Sequence, residues 1–206
     1  MPPSCILHAD AFLVAADKPA GLLAVPGRGA DKQDCLWARV RAEWPDALVV
    51  HRLDQATSGV MLFARGALAQ RTLSAAFEQR RVAKRYEAVV AGSLADDAGT
   101  IDLPLAADWP RRPRQQVDRQ GGKASLTHWR VLSRDAATTR LALEPVTGRS
   151  HQLRVHCAAI GHPIVGDALY GCADAAAPRL LLHAKAVTIA HPLDGTSLHV
   201  ECPTPF

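Results

Sequence analysis

Apolar and polar positions recur with two different periods along the chain, and the period changes from segment to segment. "ILHADAFLVAADKPAGLLAVPG", residues 6 to 27, reads as one or two strands, with "DKPAG" and "VPG" as turns. In "DCLWARVRAEWP", residues 34 to 45, Leu36, Trp37, Val40 and Trp44 fall at helical spacing and Pro45 closes the helix. "LVVHRLD" and "GVMLFAR" read as two strands around the polar turn "QATS". The spacing predicts a helix over residues 67 to 80, with Leu68, Thr72, Leu73, Ala76 and Phe77 on one face. "KRYEAVVAG" alternates like a strand and puts Tyr86, Ala88 and Val90 on one side. "ASLTHWRVL" and "TRLALEPV" predict an antiparallel pair of strands.

The next segment, "TGRSHQLRVHCAAIGHP", predicts a helix that Ser150 caps and that Gly161 and Pro163 end. Leu153, His156, Cys157 and Ile160 share a face there, which sends Arg154 to a different side. "RLLLHAKAVTIAHP" and "SLHVECP" supply closing strands. Strands outnumber helices and many neighbours pair as hairpins. The expected fold is therefore α+β: a single domain over residues 1–206 with a mixed, mainly antiparallel sheet flanked by helices and loops.

Composition narrows the functional classes. No run approaches 18 uninterrupted apolar residues, so no membrane span is expected. The N-terminus has no basic region before its apolar stretch, unlike a signal peptide, and a cytoplasmic protein is expected. Cys5, Cys35, Cys157, Cys172 and Cys202 are odd in number and widely spaced, which argues for free thiols over a disulfide framework or zinc cage. His151 and His156 are the nearest thing to a histidine pair, and no H-x-x-x-H exists, so no metal is expected.

Charge adds more. Against a net charge of +4, residues 71 to 85 carry +4 and residues 108 to 123 carry +3, which leaves −3 for the rest. Two basic segments on a slightly acidic body suggest a polyanion-binding face. The second, "DWPRRPRQQVDRQGGK", is broken by prolines and reads as a loop with Trp109, Arg111, Arg112 and Arg114. Guanidinium forks suit phosphates, and aromatic rings or guanidinium planes stack on bases.

Candidate chemistry begins at "VVHRLDQATSGVMLF", where His51, Arg52 and Asp54 sit inside an apolar run. Charges so placed need partners, because burial without pairing is costly. Read as a strand, "HRLD" puts Val50, Arg52 and Asp54 on one side, with Asp54 where the strand meets the turn. A carboxylate there can act as a nucleophile at a sugar carbon or as a general base, although a satisfied ion pair would leave the same trace. His51 reads as a packing and hydrogen-bonding residue.

With "KRYEAVVAG", "GRSHQLRVH", "GHPIVGDALYG" and "PRLLLHA", this set and order closely resembles the RluA family of RNA pseudouridine synthases. The resemblance runs nearly end to end, from "DKPAGLLAVPG" through "LPLAADWPRRPRQQV", and is closest to the short dual-specificity member that acts on 23S ribosomal RNA and the tRNA anticodon stem-loop. The resemblance implies the pseudouridine synthase fold and uridine isomerisation without cofactor or metal. It matches Asp54 to the catalytic aspartate and Tyr86 to the tyrosine that stacks on the target base and serves late proton chemistry. Arg154 matches the arginine that pairs with the aspartate. Arg149, in the same motif, is a second candidate, and which of the two pairs with Asp54 stays open. Arg52 matches an arginine that fills the space left by the extruded base. Leu181 or Leu182 lines the pocket, with His51, Arg149, Arg111, Arg112 and Arg114 as further substrate-side residues.

The small N-terminal S4-type RNA-binding domain of many members is not expected here, since the match begins near residue 6. Recognition would then fall to the catalytic domain, acting as a monomer. An RNA-binding protein without catalysis would have no need of Asp54, Tyr86 and Arg154 together, and a glycosidase would need a second carboxylate that no motif supplies.

Overall fold

The periodicity is realised as twelve strands and three α-helices among the described residues; the computed structural model describes residues 5–171 and 177–206. Cys172 and the first four residues lie outside them. In chain order the strands are β1 (Ile6–Ala9), β2 (Leu13–Lys18), β3 (Ala47–Val49), β4 (Ser58–Arg65), β5 (Ala83–Ala91), β6 (Ala98–Asp102), β7 (Leu105–Ala107), β8 (Gln115–Val117), β9 (Leu126–Arg134), β10 (Thr138–Pro145), β11 (Leu182–Ala190) and β12 (Ser197–Glu201). The helices are α1 (Leu36–Glu43), α2 (Gly66–Glu78) and α3 (Gln152–Ala159). The chain divides into two compact units. The first is Met1–Lys84 with Ala184–Pro205, the second Arg85–His183 with Phe206.

In the first unit β1, β2, β4 and β11 are neighbours in that order, β3 adds to β4, and β12 to β11. The β2–β4 pairing is antiparallel, with Leu13 opposite Ala64 and Lys18 opposite Gly59. Leu13, Ala15, Val60, Leu62 and Ala64 form one buried face, closed by Ala69, Leu73 and Ala76 of α2 and by Val187, Ile189, Val200 and Cys202. Burial of that much apolar surface drives the unit's folding. Gly59, at φ 110°, lies against Ala184, whose carbonyl a Cβ would strike.

The second unit orders its strands β5, β10, β9, β6, all antiparallel, and carries a separate β7–β8 hairpin. Leu143 pairs with Tyr86 and Leu141 with Ala88. Ala88 and Val90 are fully buried, and Tyr86 is half-buried on the same side of β5.

Three local expectations are corrected. The predicted strand over residues 48 to 54 stops at Val49, because "HRLD" makes no ladder hydrogen bonds and the chain turns back through Thr57, whose N–H bonds the Asp54 carbonyl at 3.1 Å. The buried stripe of α2 is Ala69, Leu73 and Ala76, and Leu68 stands 69% exposed one helical step away. Helix α3 is preceded by His151 in the left-handed conformation, φ 53°, with no side-chain cap from Ser150. Residues Gln152 to Cys157 are all buried, so the side of α3 that carries Arg154 is inside as well. The short strands β6, β7 and β8 are not legible in the sequence, since each has five residues or fewer and little alternation.

Candidate active site

Asp54 is held by a turn and not by a strand. It is half-buried, after exposed Arg52 and buried Leu53. The neighbouring carbonyl of Gln55 accepts from the Gly21 N–H at 2.9 Å and from Lys18 Nζ at 2.9 Å. Lys18 is fully buried, and its ammonium also donates to the carbonyls of Pro19 at 2.9 Å and Leu22 at 2.7 Å. Three donors meet three carbonyls, which compensates much of the cost of burying the charge. The Gln55 side-chain amide donates back to the Gly21 carbonyl at 2.9 Å. The loop after β2 and the turn carrying Asp54 are thus tied together by five hydrogen bonds around one buried cation.

His51 is scaffold. Its Nε2 accepts the Leu62 N–H at 2.9 Å, and its ring stacks on Phe77 with centroids 4.4 Å apart. Burial, with the Lys84 charge adding to it, pushes its pKa down to about 3, so the imidazole is neutral at physiological pH. Burial and then the nearby Arg80 charge bring Lys84 down to about 8.

In the second unit Arg154 is 4% exposed and grips Asp167 with a fork, Nε to Oδ2 at 2.7 Å and Nη2 to Oδ1 at 2.6 Å. Burial alone would raise the Asp167 carboxyl, but the Arg154 fork and the N–H groups of Leu169 and Tyr170 hold it below its usual range. Gly166 precedes it at φ 74°, where a Cβ would collide with the Arg179 carbonyl. The Tyr170 ring lies 5.1 Å from the Arg154 guanidinium and 5.7 Å from that of Arg114. Its hydroxyl is 2.6 Å from His151 Nδ1 and accepts the Gln115 N–H at 2.7 Å.

Gln152 fixes the start of α3, donating to the Leu126 carbonyl and Thr127 Oγ1 at 3.0 Å each while its own oxygen accepts from Thr147 and the Arg149 N–H. Arg149 is half-buried and donates to the Ala124 carbonyl at 3.3 Å. Leu182 is core at 3% exposure, while Leu181 is half-buried. Arg111 pairs with Asp108 at 2.7 Å, and Arg112 stacks over Trp109 at 4.6 Å.

The structure therefore brings Arg154, Arg114, Tyr170 and Asp167 into one cluster, and places Asp54, Arg52 and His51 in the first unit. Sequence reasoning misses Lys18 and Asp167. The signal is present in both cases: a charge flanked by "LVAA" or by "PIV", the same anomaly that singles out Asp54.

Residues 12–159 match the family model described as RNA pseudouridylate synthase. The chain belongs to the RNA pseudouridylate synthase family. It is 48% identical over 204 residues to the dual-specificity RNA pseudouridine synthase RluA of Yersinia pestis, covering 98% of this chain and 99% of that protein. It is 46% identical to the RluA of Escherichia coli strain K12, covering 98% and 93% respectively. Its fold matches human RNA pseudouridylate synthase domain containing 1 with a TM-score of 0.80 at 29% identity, over 98% of this chain and 83% of that one. As a pseudouridine synthase the chain is an isomerase acting on RNA. Among the described residues no helix is long and apolar enough to cross a membrane.

Proposed function

We propose that this synthase converts uridine to pseudouridine in two RNAs, 23S ribosomal RNA and a tRNA anticodon stem-loop. The reading is carried by the 48% identity that spans nearly the whole of both chains in the comparison with the dual-specificity enzyme of Yersinia pestis. The reaction breaks the bond from C1′ to N1, turns the uracil, and joins C1′ to C5. The C5 proton leaves and N1 gains one. No electrons are exchanged, so neither redox cofactor nor metal is needed.

Asp54 is the catalytic carboxylate. It acts at the sugar, by attack at C1′ or by removing a sugar proton, and both routes need it ionised and fixed. The buried Lys18 ammonium supports the fixing, because it anchors the adjoining peptide. Arg154 is the arginine that serves the carboxylate. It is the better candidate than Arg149, because its guanidinium is held rigidly by Asp167 and Tyr170. Tyr86 stacks on the extruded uracil and handles the late proton. Stacking returns about 1–3 kcal/mol against an unstacking cost on the order of a few kcal/mol. Arg52, exposed beside Asp54, takes the place of the flipped base, and half-buried Leu181 contacts the uracil. Arg111, Arg112, Arg114 and Arg149 bind the RNA backbone. The whole chain, residues 1–206, works as one catalytic domain, a monomer in the cytoplasm.

The test is a pseudouridine map of tRNA and 23S rRNA from cells lacking this protein. The expected result is loss at one anticodon stem-loop uridine and one 23S uridine, both restored by complementation. An unchanged map contradicts the reading, and loss in one RNA class alone removes the dual specificity.

A further inference from the structure

We propose that Trp109 is a stacking platform for an unpaired nucleobase of the RNA, separate from the uridine that reacts; this rests on the RNA-modifying function above. Trp109 is 67% exposed and is the only large aromatic residue standing in solvent among the described residues. The other tryptophans are half-buried, and Trp37 spends its indole N–H on the Ala47 carbonyl at 3.0 Å.

The exposure is built, not the accident of a slack loop. Trp109–Arg111 form one 3₁₀ turn with Pro110 inside it. Asp108, 5% exposed, donates its N–H to the Arg114 carbonyl at 3.0 Å, accepts the Arg111 N–H at 3.1 Å, and takes the Arg111 side chain on its carboxylate at 2.7 Å. The Arg114 N–H closes onto the Arg111 carbonyl at 3.0 Å. The loop is rooted below by the Gln115 N–H on the Tyr170 hydroxyl and by the β7–β8 ladder. A turn held by Pro110 and by these hydrogen bonds fixes the backbone that presents the indole.

The surroundings choose the occupant. Arg112 lies over the indole at 4.6 Å, and Arg111 and Arg114 follow Trp109 within five residues of sequence, in a segment of net charge +3. One apolar ring among guanidinium groups is too small a hydrophobic patch for a stable protein partner. It matches a base beside phosphates: the ring takes the π-face, and the arginines take the backbone. Anchoring a nucleotide other than the reacting uridine would let the enzyme grip loop shape without reading sequence, which suits an enzyme that accepts two unlike RNAs.

The test measures binding of an anticodon stem-loop to wild type, Trp109→Ala and Trp109→Phe, with a series of RNAs each abasic at one loop position. Trp109→Ala should bind the intact RNA about tenfold more weakly or worse, with Trp109→Phe recovering much of the loss. One abasic RNA should bind wild type as weakly as Trp109→Ala binds the intact one, with no further loss when the two are combined. The slope of log K against log salt should stay unchanged, since stacking neutralises no phosphate. Full affinity of Trp109→Ala for every RNA overturns the proposal, as does altered self-association with unchanged RNA affinity. Wild type that binds these RNAs with the expected abasic pattern but makes no pseudouridine leaves the platform standing and removes the enzymatic reading.

Discussion

His51 shows how a residue beside the proposed catalytic aspartate can be structural. It sits three residues before Asp54, but its Nε2 accepts a backbone N–H from β4 and its ring stacks on Phe77. The folded state resists protonating it until about pH 3, whereas the unfolded chain protonates it near 6.5. The unfolded state therefore binds more protons between those values, and the contribution of His51 to stability falls as pH falls through that window. Urea unfolding of wild type and His51→Gln should show it: the gap between their midpoints should shift in favour of the variant from pH 6.5 to pH 4. A pH-independent gap would contradict the neutral imidazole. The same residue-scale logic, a polar group set among apolar neighbours, makes Asp54 legible from sequence and extends to Lys18 and Asp167. It fails at Lys18 because "DKP" also reads as a turn, and turns need no buried cation.

At the scale of elements, helices and long strands are legible because their apolar period is sustained. Helix α2 and strands β9, β10, β11 and β12 follow it closely. What escapes is set by partners distant in sequence. "HRLD" alternates like a strand, but the bonds that fix the turn after it, at Gln55, come from Lys18 and the loop after β2. The period of α3 puts Arg154 on a different side from Leu153 and His156, and it does not show that this side is buried as well, with Asp167, thirteen residues on, as the partner of Arg154. Helix α2 ends with Arg80 in the left-handed conformation, φ 58°, its N–H on the Phe77 carbonyl at 3.1 Å and that of Arg81 on the Ala76 carbonyl at 2.9 Å. Glycine usually fills that position. Arg80→Gly should relieve about 1–2 kcal/mol of left-handed strain, less about 0.5–1 kcal/mol of added chain entropy in the unfolded state. It also removes a positive charge that lowers Lys84. The urea midpoint should rise; a fall would mean that Arg80 makes contacts worth more than its strain.

For the whole molecule, the end-to-end order of short motifs carries the family, and the distribution of charge along the chain points to a polyanion. Neither reveals the internal wiring: a buried ammonium behind Asp54, and a carboxylate and phenol ring gripping Arg154. In the proposed mechanism that wiring supplies the rigidity, because a carboxylate acting at a sugar carbon must be both ionised and held in place. The most direct test is quantification of pseudouridine by mass spectrometry in an anticodon stem-loop and a 23S fragment after incubation with purified wild type or Asp54→Asn. Wild type should convert one uridine in each RNA. Asp54→Asn should be slower by at least about 1,000-fold while binding RNA within a few-fold of wild type. Turnover by Asp54→Asn at a substantial fraction of the wild-type rate would contradict the account.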